Sequence, residues 1–114
     1  MSGGKSPRQK GNRAERALVH FLKTKGFTAD RVPLSGSMGG KYSGDITLQL
    51  LGIDRCVEVK CRGRGFRELY AWLDQRDLLI VKADRQEPLV VIPLSLATEI
   101  ASIANDIKTA VNGQ

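Results

Sequence analysis

The sequence predicts an α/β protein, a mixed central β-sheet flanked by helices, with elements in the order αβββαββα. Amphipathic runs of helical period lie near both ends of the chain and again at residues 66–75. Between the first two lie two alternating runs, 45–50 and 55–61, separated by a turn signal at Leu51-Gly52-Ile53-Asp54. Two short apolar runs, 78–82 and 89–94, and a short strand at 27–32 complete the set. At 114 residues the chain has the length of one domain with one core. Residues 11–114 are that domain; residues 1–10, rich in Gly, Ser, Lys and Arg without periodic apolar positions, are expected to be a disordered basic tail.

Each element has a local cause. Asn12 is a good helix N-cap, with Glu15 three residues on as its capping-box partner. Ala14, Ala17, Leu18, Phe21 and Leu22 form the apolar stripe, Glu15 lies at its edge, and Gly26 ends the helix. Residues 27–32 read as a first strand and 33–43 as a loop rich in Gly and Ser. In the next run Asp45, Thr47 and Gln49 point one way and Ile46, Leu48 and Leu50 the other. In its partner, Val57 and Val59 share one face, Glu58 and Lys60 the opposite one. A turn centred on Gly52 and Ile53 pairs Asp45 with Lys60, at roughly 4.5–5.5 Å between Cβ atoms, and sets Glu58 diagonally at about 7–8 Å.

Beyond the hairpin, Phe66, Leu69, Tyr70 and Leu73 make the inner face of a second helix, flanked by Trp72. Residues 83–88 form the turn between the last two strands. Ser95 caps a final helix whose stripe of Leu96, Ile100, Ile103, Ile107 and Val111 is expected to pack on the sheet, with a dimer contact as the other use of that face.

Charge and composition narrow the function. Eighteen Lys and Arg against twelve Asp and Glu give a net charge of +6, which suits a polyanionic partner. Lys5, Arg8, Lys10 and Arg13 precede every acidic residue, and Lys60, Arg62, Arg64 and Arg67 follow the carboxylates. No apolar run approaches a membrane span or a secretion signal, so a cytoplasmic, intracellular protein acting with DNA, and no membrane, is expected. Cys56 and Cys61, an odd number of positions apart, point to opposite faces of one strand, and a single histidine argues against a zinc site.

The chemistry concentrates at Asp45, Glu58 and Lys60. Two carboxylates and a lysine on one hairpin face have the makings of a divalent-cation site beside a phosphate. The competing reading is an ordinary solvated cross-strand pair beside an exposed Glu-x-Lys.

The ordered set Lys10-Gly11, Glu15-Arg16, Lys25-Gly26-Phe27, Arg31, Ser35-Gly36-Ser37, Gly44-Asp45 and Glu58-Val59-Lys60 resembles the Holliday junction resolvases of the archaeal and phage type. These belong to the PD-(D/E)xK nuclease superfamily, with a restriction-endonuclease-like core. The resemblance covers residues 10–61; beyond them only element order agrees. It implies that Asp45 and Glu58, with Glu15 and Val59, bind a magnesium ion, for which manganese substitutes, and that Lys60 activates water and stabilises charge on the scissile phosphate. It places Ser35 on a loop near the scissile bond and gives Arg16 and Arg31 phosphate contacts. Lys10, Arg13, Ser35, Ser37, Lys41, Arg62 and Arg64 join them as expected DNA-binding residues. The implied activity is paired symmetric hydrolysis of a four-way junction by a homodimer, with no small-molecule substrate. The proline of the superfamily motif is absent before Asp45, where Gly44 stands. Two alternatives stay open: a nuclease of the same fold cutting or nicking other branched or duplex DNA, and a non-catalytic basic nucleic-acid-binding module.

Overall fold

A computed structural model of the chain describes residues 7–32 and 44–113, with residues 7–10 described by their main chain. The elements are α1 (Pro7–Thr24), β1 (Ala29–Arg31), β2 (Ile46–Leu50), β3 (Ile53–Val57), α2 (Arg67–Leu73), β4 (Leu79–Val81), β5 (Leu89–Val91) and α3 (Leu94–Asn112). This is the expected order, a mixed α/β fold compatible with a restriction-endonuclease-like core. The strands pair as two antiparallel sheets, β1-β2-β3 and β4-β5, in place of one mixed sheet. The described residues fall into two compact units, one reaching Cys61 and resuming at Ala101, the other Arg62–Ile100.

In the first unit, α1 begins at Pro7, five residues ahead of the expected cap. Proline's fixed φ suits a first helical turn, and Arg8, Gln9 and Lys10 are all good helix formers. Residues 7–10 are therefore helix, where a tail was expected; residues 1–6 lie outside the described residues. Asn12 is consequently interior to the helix and caps nothing.

Gly26 closes α1 at φ +90°. The Phe27 N–H donates to Leu22 O and the Gly26 N–H to Lys23 O, both at 3.0 Å, the double bond of a Schellman motif. The motif brings Phe27 back onto Leu22, and both are buried with Val19, Ala29 and Ile46. Leu18, Phe21, Leu48, Leu50, Val57, Val59 and Ala101 pack around them. Val19 takes a core position that the expected stripe gave to Ala17, which is exposed.

The hairpin register is Ile46↔Val57 through Leu50↔Ile53, so the turn is centred on Leu51 and Gly52, one residue earlier than expected. Both have positive φ, 55° and 80°, as a type I′ turn requires. Leucine seldom adopts that conformation; here its N–H is held at 2.8 Å by the side-chain oxygen of Asn105 on α3. A shift of two in pairing leaves every side chain on its expected face. It does move Lys60 away from Asp45 and bring the segment after Val57 alongside it.

In the second unit, Phe66, Leu69 and Leu73 are half-buried, whereas Tyr70, assigned to the inner face of α2, is exposed along with Trp72. β4 and β5 are three residues each and pair with one another across residues 82–88.

Helix α3 departs most from expectation. It starts at Leu94, with the N–H groups of Leu96 and Ala97 donating to Pro93 O, so Ser95 lies inside it and does not cap it. Of the expected stripe Leu96 is half-buried, but the other inward positions are small or polar: Thr98 is buried with its hydroxyl donating to Ser95 O, Ala101 packs on the core, and Asn105 reaches Leu51. Ile100, Ile103, Ile107 and Val111, expected against the sheet, are each more than half exposed. Among the described residues no helix is long and apolar enough to cross a membrane.

Candidate active site

Asp45 immediately precedes β2, where the chain is tied on both sides. Its carbonyl accepts from the Val32 N–H at 3.0 Å and its own N–H donates to Val57 O at 2.8 Å. Its carboxylate is fixed as well: the Val59 N–H donates to Oδ2 at 2.7 Å. A short bond from a main-chain amide to a carboxylate is a charge-assisted one. Asp45 is partly buried and the side chains of Glu58 and Lys60, flanking Val59, are each about half exposed.

Gly44 explains the missing proline. Its φ of +87° lies outside anything a pyrrolidine ring allows, and a Cβ there would meet Val57 O at 3.0 Å. The strand enters the site by passing its glycine over the Val57 carbonyl, which leaves the Asp45 amide to bond that same oxygen.

Lys60 does not face Asp45. Its Nζ sits 2.9 Å from Glu58 Oε2. β3 ends at Val57, short of the expected run to Cys61, and beyond it Glu58 and Lys60 pair with each other, half solvated.

Glu15 has Arg31 as its partner. Arg31 directs Nε and Nη2 onto its Oε1, each at 3.2 Å, and the same Nη2 donates to Asn12 Oδ1 at 2.8 Å. Asn12 and Glu15 are three residues apart on α1 and so share a face, and Arg31 reaches them from β1, where it pairs with Ile46. Among the described residues, no three His, Cys, Asp or Glu side chains gather where they could hold a metal ion. The structure therefore brings Asp45 together with the Glu58-Val59-Lys60 segment and leaves Glu15 in an ion pair of its own.

Two carboxylates remain a suitable donor set for magnesium, which keeps several waters and takes one or two carboxylates. Asp45 is already oriented through Oδ2, and Val59 can add only its main-chain carbonyl.

Of the expected DNA contacts, Arg13 and Arg16 are exposed on α1, and Arg62 and Arg64 are exposed at the start of the second unit. Arg31 is partly buried in its pair with Glu15. Ser35, Ser37 and Lys41 lie outside the described residues, as does the Lys10 side chain. No disulfide joins Cys56 and Cys61.

Sequence reasoning missed Asn12 as a partner of Arg31, the Val59 amide, and Asn105. Asn12 had a signal, its i, i+3 spacing from Glu15; the other two depend on tertiary pairing.

No curated protein and no solved structure matches the chain. A family model does, that of the archaeal Holliday junction resolvases (Hjc), over residues 6–71. The match takes in more than half of the sequence, from α1 through the hairpin that carries Asp45, Glu58 and Lys60, and by it the chain belongs to the archaeal Holliday junction resolvase family, nucleases that act on branched DNA.

Proposed function

We propose that the chain is a magnesium-dependent endonuclease that resolves four-way DNA junctions by paired, symmetric phosphodiester hydrolysis as a homodimer. The observation that carries this reading is the pinned Asp45 carboxylate, fixed by the Val59 amide beside Glu58 and Lys60. Asp45 and Glu58 would hold the ion, joined by the main-chain carbonyl of Val59. A bound magnesium supplies Lewis acidity at a phosphoryl oxygen and a more acidic water.

The chain's own residues do the rest. Because the Val59 N–H occupies Oδ2, the Asp45 carboxylate is set before substrate arrives, and little reorganisation is left for the reacting complex. Lys60 exchanges Glu58 for the scissile phosphate: its ammonium is half exposed, and a solvated pair of this kind contributes only about 0–1 kcal/mol, so breaking it costs little. Arg13 and Arg16 lie exposed on α1 for phosphate contacts.

A homodimer supplies two such sites, one for each incision. The exposed stripe of Ile103, Ile107 and Val111 in the first unit supports it, since an apolar helix face of that spacing suits a facing helix.

The test is cleavage of labelled four-way junction, fork and linear duplex, with magnesium, with manganese and with chelator. Paired symmetric nicks confined to the junction are expected, with either metal and not with chelator. Equal cutting of linear duplex points instead to a same-fold nuclease of other substrates, and binding without cleavage under any metal to a basic binding module.

A further inference from the structure

Arg31 uses one edge of its guanidinium on two acceptors. Nε and Nη2 meet a single oxygen of Glu15, Oε1, at 3.2 Å each, and Nη2 also meets Asn12 Oδ1 at 2.8 Å, the shortest of the three. The cluster is largely withdrawn from solvent, the Glu15 side chain being 17% and the Arg31 side chain 27% exposed. It sits against the start of β2, next to Asp45 in the chain: Arg31 pairs with Ile46, and the next residue, Val32, donates to the Asp45 carbonyl.

A guanidinium that touches a carboxylate through one oxygen can still swing about that contact. The Asn12 oxygen removes the swing, because it fixes Nη2 from the other side. Asn12 projects from the same helix face as Glu15, one turn earlier, so the acceptor and the carboxylate move as one body.

We propose that Asn12 is a positioning residue for the cleavage reaction: it locks the Arg31 fork on Glu15, which ties α1 to the end of β1 and so holds the Val32 amide on the carbonyl of Asp45. This rests on the function proposed above. It makes Arg31 a positioning residue too, in place of a phosphate contact, since its fork is spent on Glu15 and Asn12.

Three variants of the full chain test it, each measured for manganese affinity by calorimetry, magnesium dependence of junction cleavage, and junction affinity in calcium. Asn12→Ala keeps a good helix former on α1 and should fold, which circular dichroism checks. Its manganese affinity and its cleavage rate at low magnesium should each fall roughly 10-fold, the lower range for partners that orient a metal's ligands, with junction affinity unchanged. Asn12→Asp keeps an acceptor for Nη2 and should stay within about twofold of the parent. Arg31→Lys keeps the charge but not the fork, and should lose cleavage while keeping junction affinity and its salt dependence. The inference is overturned if Asn12→Ala matches the parent in both metal readouts, if Asn12→Asp is as impaired as Asn12→Ala, or if Arg31→Lys weakens junction binding with cleavage per bound complex intact. A parent that neither binds manganese nor cuts junctions overturns the proposed function instead, and this inference with it.

Discussion

The main-chain N–H of Val59 donates to Oδ2 of Asp45 at 2.7 Å, tying the residue between Glu58 and Lys60 to the carboxylate on the neighbouring strand. The bond makes two roles of Asp45 separable. Asp45→Asn can keep an acceptor for Val59 while losing the charge. It should fold with the parent's stability, bind junctions as tightly or more so, and cut at least roughly 100-fold more slowly, beyond the usual loss from disturbing a ligand's partners. Asp45→Ala strands the Val59 amide as well and should lose a further ~1–3 kcal/mol of folding stability. Single-turnover cleavage and urea unfolding on both variants distinguish the roles; an Asp45→Asn protein that cuts like the parent ends the assignment.

Gly44 carries a second prediction. A Cβ there meets Val57 O at 3.0 Å on a backbone at φ +87°. Gly44→Ala should cost about 1–3 kcal/mol of stability, the range for backbone held where its residue type does not belong. Cleavage should fall with it, because the displaced carbonyl is the one that accepts from Asp45 N–H. The readout is the unfolding midpoint alongside the cleavage rate well below that midpoint; an unaffected rate would detach Gly44 from the site.

How much of this was legible in the sequence depends on the range of the interactions involved. The faces of β2 and β3 follow from period-two alternation, which a register error of two residues does not disturb, so the alternation survives while the expected Asp45–Lys60 pairing does not: Val59 meets Asp45 and Lys60 meets Glu58. The turn itself was misplaced because Leu51 at φ 55° contradicts its own preference and is held by Asn105, 54 positions along the chain. Helix α3 was misread for a related reason. Periodicity reveals an apolar face, but Ala101 and Asn105, not the isoleucines, are what the first unit receives. Glu15 was legible as an acid at the edge of the buried stripe, and its capture by Arg31 was not, since that needs α1 packed against β1.

The Leu51 turn can be tested by itself. Asn105→Ala removes the one side-chain acceptor that meets the Leu51 N–H and should cost about 0.5–1.5 kcal/mol, the net value of such a bond. Leu51→Asn, better suited to positive φ, should cost nothing or add stability in the parent. Denaturant titration of both reads this out, and an Asn105→Ala protein of parental stability would count against the contact.

Lys60 divides rate from affinity. Its pair with Glu58 is half solvated, so Lys60→Ala should change folding stability by no more than ~1 kcal/mol. If the ammonium serves the scissile phosphate, cleavage falls by roughly 10²–10³, the scale of losing one preorganised donor to developing charge, while junction affinity stays close to the parent's. A large loss of affinity at unchanged turnover would reassign Lys60 to binding.

The exposed face of α3 gives the last prediction. Ile103 and Ile107 are 59% and 61% exposed and lie outside the buried core, so aspartate at either position should leave the chain folded, which circular dichroism checks. In a dimer closed by this face, the double substitution Ile103→Asp, Ile107→Asp sets like charges against each other across the two-fold axis, and the sedimentation mass should drop from twice the chain mass to once. The consequence for cleavage is specific. Each monomer keeps Asp45, Glu58 and Lys60, so nicking at one strand persists, but the second, symmetric incision should no longer accompany the first within the lifetime of one complex. A supercoiled plasmid carrying an extruded cruciform separates the two: coupled incisions give linear product directly, uncoupled ones accumulate nicked circles. Linear product at the parent's yield, from a protein of either mass, would place the dimer contact elsewhere.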